Sequence, residues 1–467
     1  MIMRHVHFIG IGGVGMSGLA QALMARGVRV SGSDPLRNAA TDRLEAAGAR
    51  IYRVQSAENI ELEHPDIVVV TPAVQEANEE LVAARRTGIP VLSRAQMLGR
   101  MMAESPRPRV AVAGTHGKTT TTSMLAEILV AAGLDPTVLV GAEYAGIGGN
   151  ARVGSGPFLT EACEAFDSFL ALSPDVAVIT NIEADHLDWY LSEERLADGF
   201  RQFLDRTSPD GAVVWCADDP GVRRVVPRAL GPRESLPYGL WSERQGTLRA
   251  RVLSAGGGRT EFAVWRFGRA EELGRVALPV PGSHNVLNAL GALGTALWMG
   301  VPFDTAARAL ERFQGAERRF DVLGERGGVL VVDDYAHHPT EVRATLAAAR
   351  SAYPDRRVVA VFQPHLYSRT RDFMDEFAAA LTDADAVVVT DIYPAREEPI
   401  PGVSAADLVE RIAGRRRGGT VLYMPCKGDV PRALEWLARP GDLVLTMGAG
   451  DIREAGLAYL SAFPAAL

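Results

Sequence analysis

The sequence predicts an α/β protein of three domains built on parallel sheets, and three observations carry that prediction. Its 467 residues exceed what one ordinary core organises. Short, continuously apolar segments recur along the chain with helix-compatible stretches between them, the pattern of strands buried on both faces by helices. That pattern breaks at Ser105-Pro-Arg-Pro108 and again near Phe313-Gln-Gly315. The breaks divide the chain into residues 1–106, 107–315 and 316–467.

The first segment opens on a strand at His5–Ile9. A glycine turn, Gly10-Ile-Gly-Gly-Val-Gly15, follows, then a helix to about Arg26. A second strand, Val28–Ser33, ends at Asp34, and Asp66–Thr71 reads as another buried strand. The spacing is that of a Rossmann-like, dinucleotide-type fingerprint. Gly10, Gly12, Gly13, Val14 and Gly15 would bring backbone N–H groups to a diphosphate, with Asp34 on a ribose hydroxyl. The turn by itself does not separate NAD from another nucleotide diphosphate, and a purely structural turn has the same spacing.

The second segment starts with the strand Arg109–Ala113. The loop Gly114-Thr115-His116-Gly117-Lys118-Thr119-Thr120 and a helix to about Ala132 come next. Val112 stands where the usual phosphate-loop pattern has its first glycine, so this loop is a tighter version opened by Gly114. Strand-in and helix-out context favours phosphate binding over a plain glycine-rich turn. The loop amides would cradle phosphates, Lys118 would add a compact charge, and Thr119 would ligate Mg²⁺. Only Lys118 and Lys427 are lysines among 49 basic residues, so a lysine at this position is hard to call accidental. No comparable reason suggests itself for Lys427. Strands at Phe158–Thr160 and Val176–Thr180 deliver Glu161-Ala-Cys-Glu164 and Asn181-Ile-Glu-Ala-Asp-His186 to one sheet edge. Glu161 and His186 would then join Thr119 around a divalent metal, or else form a solvated acidic strand end with a satisfied histidine. Spacing leaves both open. From about Gly246 to Pro281 the pattern is β-rich, and a helix spans about Asn285 to Met299.

The third segment alternates again, with strands at Val329–Asp333, Val358–Phe362, Ala386–Thr390 and Leu443–Thr446. Two polar loops leave this sheet, Asp333-Asp-Tyr-Ala-His-His-Pro-Thr-Glu341 and Phe362-Gln-Pro-His-Leu-Tyr-Ser-Arg-Thr370. Adjacent histidines before a helix are commonly structural, but two such loops on one sheet point to a site. Arg369 is a natural bidentate partner for a carboxylate.

Composition narrows the function classes. A net charge of −8 argues against a nucleic-acid or membrane-surface binder. No apolar run approaches the roughly 20 residues that span a bilayer. The N-terminus shows no signal-peptide cleavage site. Three scattered cysteines, Cys163, Cys216 and Cys426, form neither a metal spacing nor an even disulfide set, which suits a reducing cytoplasm.

Taken together, these motifs resemble the Mur ligase family. Gly10–Gly15, Gly114–Thr120, Glu161–Glu164, Asn181–Asp188, His284-Asn-Val-Leu-Asn288, Arg318-Arg-Phe320, Asp333–Glu341 and Phe362–Thr370 occur in the family's order, across nearly the whole chain. The resemblance implies Rossmann-like first and third domains around a central P-loop ATPase domain with a smaller β-rich part. It implies ATP and Mg²⁺, UDP-N-acetylmuramate as acceptor and L-alanine as the added group. The glycine fingerprint then holds a UDP diphosphate in place of NAD. Lys118 and Thr119 match the phosphate lysine and metal threonine, and Glu161 and His186 match metal ligands. His284, Asn285 and Asn288 match contacts to ATP; without the resemblance they read as an ordinary helix start. Tyr335, His337 and Arg369 match positions near the adenine and the incoming amino acid, and Lys118, His186, His337 and Arg369 are the expected catalytic set. Cys163, Phe166 and Leu366 depart from the family's frequent residues. Relatives that add later residues use a carbamylated lysine in the central domain. Here Lys118 is the one lysine of that segment, which favours the alanine-adding branch over this use. A ligase attaching a preformed peptide to the same acceptor is the alternative.

Overall fold

The structure is a computed structural model that describes residues 3–185, 187–268, 272–395, 397–416 and 418–461. Its apolar segments become strands of three sheets among those residues. The first sheet is parallel, in the order Arg50–Tyr52, Arg29–Ser33, His5–Ile9, Ile67–Val70, Val91–Ser93. Alternate residues serve its two faces: Val6, Phe8, Ile67 and Val69 join one core, Ile9 and Val68 another with Ile60 and Leu81. The first strand is less apolar than its pattern suggests. His5 Nε2 and His7 Nδ1 both lie 2.9 Å from Ser31 Oγ, and buried Glu80 accepts from Asn59 at 2.6 Å. Pairing of this kind is what makes buried polar groups tolerable.

Ten strands make the second sheet. Glu272–Leu278, Arg259–Arg266 and Leu248–Gly256 form one side, the β-rich stretch expected after Gly246. Glu234–Gly239, Ala212–Cys216, Val176–Ile179, Arg109–Ala113, Phe158–Ala162 and Thr137–Tyr144 continue it in parallel, and Gly149–Arg152 closes it antiparallel. The third sheet runs Asp321–Arg326, Val329–Asp334, Leu443–Met447, Val358–Phe362, Ala386–Val389, Thr420–Tyr423, with only its first strand antiparallel. One face of it packs on helices Pro339–Ala352, Met374–Leu381 and Ala405–Arg415, the other on Val430–Leu437 and Arg453–Ser461. This is the doubly covered α/β arrangement expected of continuous apolar strands.

The chain divides into two compact units. The first comprises Met1–Ala250, Val264–Gly274 and Leu287–Leu310; the second comprises Arg251–Ala263, Arg275–Val286 and Glu311–Leu467. Inside the first unit the glycine-turn sheet is tied to the phosphate-loop sheet. Asn150 Nδ2 donates to Val14 O at 2.6 Å, and Arg43 pairs with Glu143. Gly99, on helix Arg94–Ala103, sits so close to Ala171 O that a Cβ would not fit.

Candidate active site

The phosphate loop lies in the first unit, between strand Arg109–Ala113 and helix Lys118–Ala131. Gly114 and Gly117 hold φ of +138° and +78°, conformations that favour glycine. A side chain at Gly114 would run into Thr180 Oγ1, and one at Gly117 into Asn288 Oδ1. The helix has no capping side chain and no acidic residue in its first turn, so its leading N–H groups keep their partial positive charge for an anion. Thr119 and Thr120 are buried in that turn.

Neighbouring strand ends clamp the loop. His116 N donates to Asn181 Oδ1 at 2.7 Å, and Asn181 Nδ2 returns a bond to His116 O at 3.0 Å. Thr180 Oγ1 also donates to His116 O, at 2.6 Å, and Thr115 Oγ1 bonds both Glu183 O and Glu183 N. Asn288 Oδ1 lies 3.3 Å from Thr121 Oγ1, which brings that residue to the loop.

Lys118 Nζ donates to Gly114 O, to Thr115 O at 3.0 Å, and to both oxygens of Glu164 at 3.1 and 2.9 Å. Burial by itself would lower the lysine's pKa. Glu164, with Glu161, outweighs that and raises it, so the ammonium stays charged. Burial and Glu164 push the Cys163 thiol up, so it adds no charge where an acid is frequent in the family. Glu161 pairs in register with Val112 at the same sheet edge and accepts from Gly141 N at 2.6 Å. His186 lies outside the described residues. Phe166, the other departure, packs edge-to-face on Trp189.

The glycine turn is in the same unit. Gly10 has φ +82°, and Gly10 N and Ile11 N donate to Ser33 O. Asp34 turns both oxygens to backbone, accepting from Gly12 N at 2.9 Å and Leu36 N at 3.0 Å, while Asn38 Nδ2 donates to Gly12 O. Gly13 caps helix Val14–Ala25, whose first turn carries no acid and no capping side chain. Gly15 lies against the Arg94 side chain.

In the second unit the two polar loops converge. Tyr335 and His337 meet edge-to-face at 5.2 Å, and His337 and His365 at 5.8 Å. Arg369, buried, places Nη1 3.3 Å from His365 Nδ1. That contact requires the neutral Nε2–H tautomer of His365. Arg318 and Arg319 lie over the Tyr335 ring at 4.9 and 5.3 Å. His337 N donates to Glu341 Oε2 at 3.0 Å, and His338 caps helix Pro339–Ala352. Leu366 is buried with φ +69°, so its side chain fills core space. His284 is half-buried and held neutral, its pKa brought down to about 4 by burial and Arg319. Asn285 Nδ2 bonds Pro281 O at 2.7 Å, a helix-start contact of its own.

Comparison with known proteins settles the family. Residues 5–106 match the model described as Mur ligase family, catalytic domain; 112–296 match the Mur ligase middle domain; 318–450 match the Mur ligase, glutamate ligase domain. The chain belongs to the Mur ligase family. One relative of this Mur ligase, the UDP-N-acetylmuramate–L-alanine ligase of Sorangium cellulosum, is 48 % identical over 454 residues, 96 % of this chain and 94 % of that one. The ligase of the same name from Trichlorobacter lovleyi is 45 % identical over 461 residues, 98 % of each. Among solved structures, the UDP-N-acetylmuramate–alanine ligase of Thermotoga maritima superposes with a TM-score of 0.82 at 30 % identity over 99 % of both chains. A murein peptide ligase from Psychrobacter arcticus gives 0.71 at 28 % over 98 % of both.

Reading the sequence of this Mur ligase missed Glu164 as the partner of Lys118, and Thr180 and Asn181 as the loop's clamp. Both segments stood out as motifs, but for metal binding. The sequence signal was there in one form: in so lysine-poor a chain, a glutamate just past a buried strand is a natural partner for the single lysine of its segment.

Proposed function

We propose that this Mur ligase joins L-alanine to the lactyl carboxylate of UDP-N-acetylmuramate at the expense of ATP, a step in making peptidoglycan precursors. The observation that carries the reading is end-to-end similarity to ligases of that name, 48 % over 96 % of the chain in one case. The substrate carboxylate attacks the γ-phosphorus of ATP, giving an acyl phosphate and ADP. The alanine amine then attacks the acyl carbon, and the tetrahedral intermediate expels phosphate. An anion approaching a triphosphate meets strong repulsion. Lys118 and the amides of Gly114–Thr120 offset it by holding positive charge where negative charge concentrates.

Thr119 and Glu161 offer oxygen donors at the loop's edge, a set that fits Mg²⁺, with His186 as a proposed third ligand. Such an ion would supply further charge neutralisation at the phosphates. Gly10, Gly12, Gly13, Val14, Gly15 and Asp34 are proposed for the UDP moiety, and His284, Asn285, Asn288 and Tyr335 for ATP. Arg369 is proposed for the alanine carboxylate, with His337 beside it. Segments 1–106, 107–315 and 316–467 would take the UDP moiety, ATP and the amino acid in turn. Free cysteines suit a cytoplasmic setting, and among the described residues no helix is long and apolar enough to cross a membrane.

ADP release with UDP-N-acetylmuramate and a panel of acceptors tests the reading. L-Alanine should drive turnover and a preformed tripeptide should not. Turnover with tripeptide and none with L-alanine would move the chain to the peptide-attaching alternative.

A further inference from the structure

A closed circuit of contacts in the second unit runs through a residue that no motif singled out. Tyr335 meets His337, and His337 meets His365, both edge-to-face. His365 then stacks on Tyr393, ring centres 5.8 Å apart and planes 11° apart. Gly450 closes the circuit. A Cβ there would stand 2.7 Å from Tyr393 Cγ, and its carbonyl accepts from Arg318 Nη1 at 2.9 Å. Arg318 in turn lies over the Tyr335 ring. Backbone bonds fix Tyr393 against the loop that follows Phe362. Its N–H donates to Pro364 O at 2.8 Å, and its carbonyl accepts from Leu366 N at 3.0 Å. Phe362 pairs with Val389, but His365 pairs with Tyr393, so one extra residue has entered the second segment. An inserted residue of this kind re-aims the side chains beside it. The same segment also holds the residue before Arg369, since Glu397 accepts from Ser368 N at 2.9 Å and from Ser368 Oγ.

We propose that Tyr393 is a positioning residue for the incoming amino acid: by setting the plane of the His365 ring, it aims the guanidinium of Arg369. The proposal rests on the reading that Arg369 takes the amino-acid carboxylate. Arg369 Nη1 lies 3.3 Å from His365 Nδ1, whose lone pair accepts in the plane of the ring. The second side-chain torsion of histidine is broad, so that plane is set by what packs on the ring. Tyr393 supplies the flat surface, at the separation of an offset aromatic stack. The fork of arginine matches two carboxylate oxygens only when its own plane is held. Tyr393 thus acts through His365 and not on the substrate. Gly450 is then required to be glycine, because a side chain would push the Tyr393 ring off the histidine.

Steady-state KM values for L-alanine, ATP and UDP-N-acetylmuramate test this on the full chain, with Tyr393→Leu removing the ring and Tyr393→Phe keeping it. Tyr393→Leu should raise the L-alanine KM by about 3- to 10-fold, the scale of one aromatic pair. The KM for ATP should stay at its wild-type value, which a general loosening of the unit would not spare. Tyr393→Phe should restore the L-alanine KM, because the stack needs the ring and not the hydroxyl. An unchanged L-alanine KM in Tyr393→Leu, or equal rises for all three substrates, overturns the proposal, as does Tyr393→Phe matching Tyr393→Leu. Should Tyr393→Leu fail to fold, Gly450→Ala presses on the ring without removing it and is read by the same split. Arg369→Ala, measured alongside, keeps the two levels apart. An unchanged L-alanine KM there defeats the assignment of Arg369 on which the proposal rests, and a wild-type protein that L-alanine does not drive defeats the ligase reading itself.

Discussion

Lys118 and Glu164 show how one pair couples stability to chemistry. Their side chains are 15 % and 2 % exposed, so neither charge is well solvated. Lys118→Ala removes the charge that faces the phosphates and strands the glutamate. Turnover should fall about 10²-fold or more, the scale of one electrostatic donor, and stability by ~3 kcal/mol, the scale of a broken buried pair. Adding Glu164→Gln should restore the melting temperature and leave turnover low. ADP release and thermal unfolding check both halves, and a double variant as unstable as the single one would contradict the pairing. Lys118 was legible in the sequence because lysine is scarce and the Gly-Lys-Thr context is specific. Its partner was not, since Glu164 reaches it from the loop after a neighbouring strand, Phe158–Ala162. Arg94 was invisible for a like reason: nothing in Ser-Arg-Ala-Gln says which glycine the arginine will cover.

At the scale of elements, ionisable groups withdrawn from water mark where strands and helices begin and end in the second unit. Asp334 closes strand Val329–Asp334 and accepts from Phe320 N and Ala336 N, both at 2.8 Å. Burial pushes its pKa up to about 6. His284, at the start of helix Ser283–Trp298, moves the other way, down to about 4. The histidine's contribution is complete above about pH 6.5 and is lost as pH falls towards 4, because the unfolded chain takes up the proton first. The aspartate's contribution is complete below about 3.8 and is lost as pH rises through 6. Across pH 4 to 6 they oppose each other. Asp334→Asn should therefore lose stability on acidification, and His284→Gln on raising the pH, each by roughly 3 kcal/mol across its window. Wild type should change less than either. Urea unfolding of the full chain at pH 4 and 6.5 measures this, and three parallel pH profiles would contradict it. The central strands were legible because both their faces are buried. The edges were not: Arg50–Tyr52 and Thr420–Tyr423 have no fully buried residue. The cap at Asn285 read as a helix start, and that local bond is present, while the reach of Asn288 to the phosphate loop depends on folding.

For the whole molecule, alternation of apolar strand and helix was enough to specify parallel sheets packed between helices, because that pattern has few other solutions. It did not specify how compact units form. The first unit takes in both the glycine-turn sheet and the phosphate-loop strands, joined through Asn150, Arg43 and helix Arg94–Ala103. Lys427 found its reason only here, bridging Asp451 and Glu454, with Asp451 also held by Gln363. It is an ion-pair anchor in the third sheet's loops. The chemistry proposed for the molecule makes a demand on atoms that no binding measurement meets. If the lactyl carboxylate attacks ATP, one of its oxygens must leave with phosphate. UDP-N-acetylmuramate labelled with oxygen-18 in that carboxylate, turned over with ATP and L-alanine, tests this most directly. The released inorganic phosphate should carry one labelled oxygen per peptide bond formed, and unlabelled phosphate beside a formed peptide bond would contradict the acyl-phosphate route.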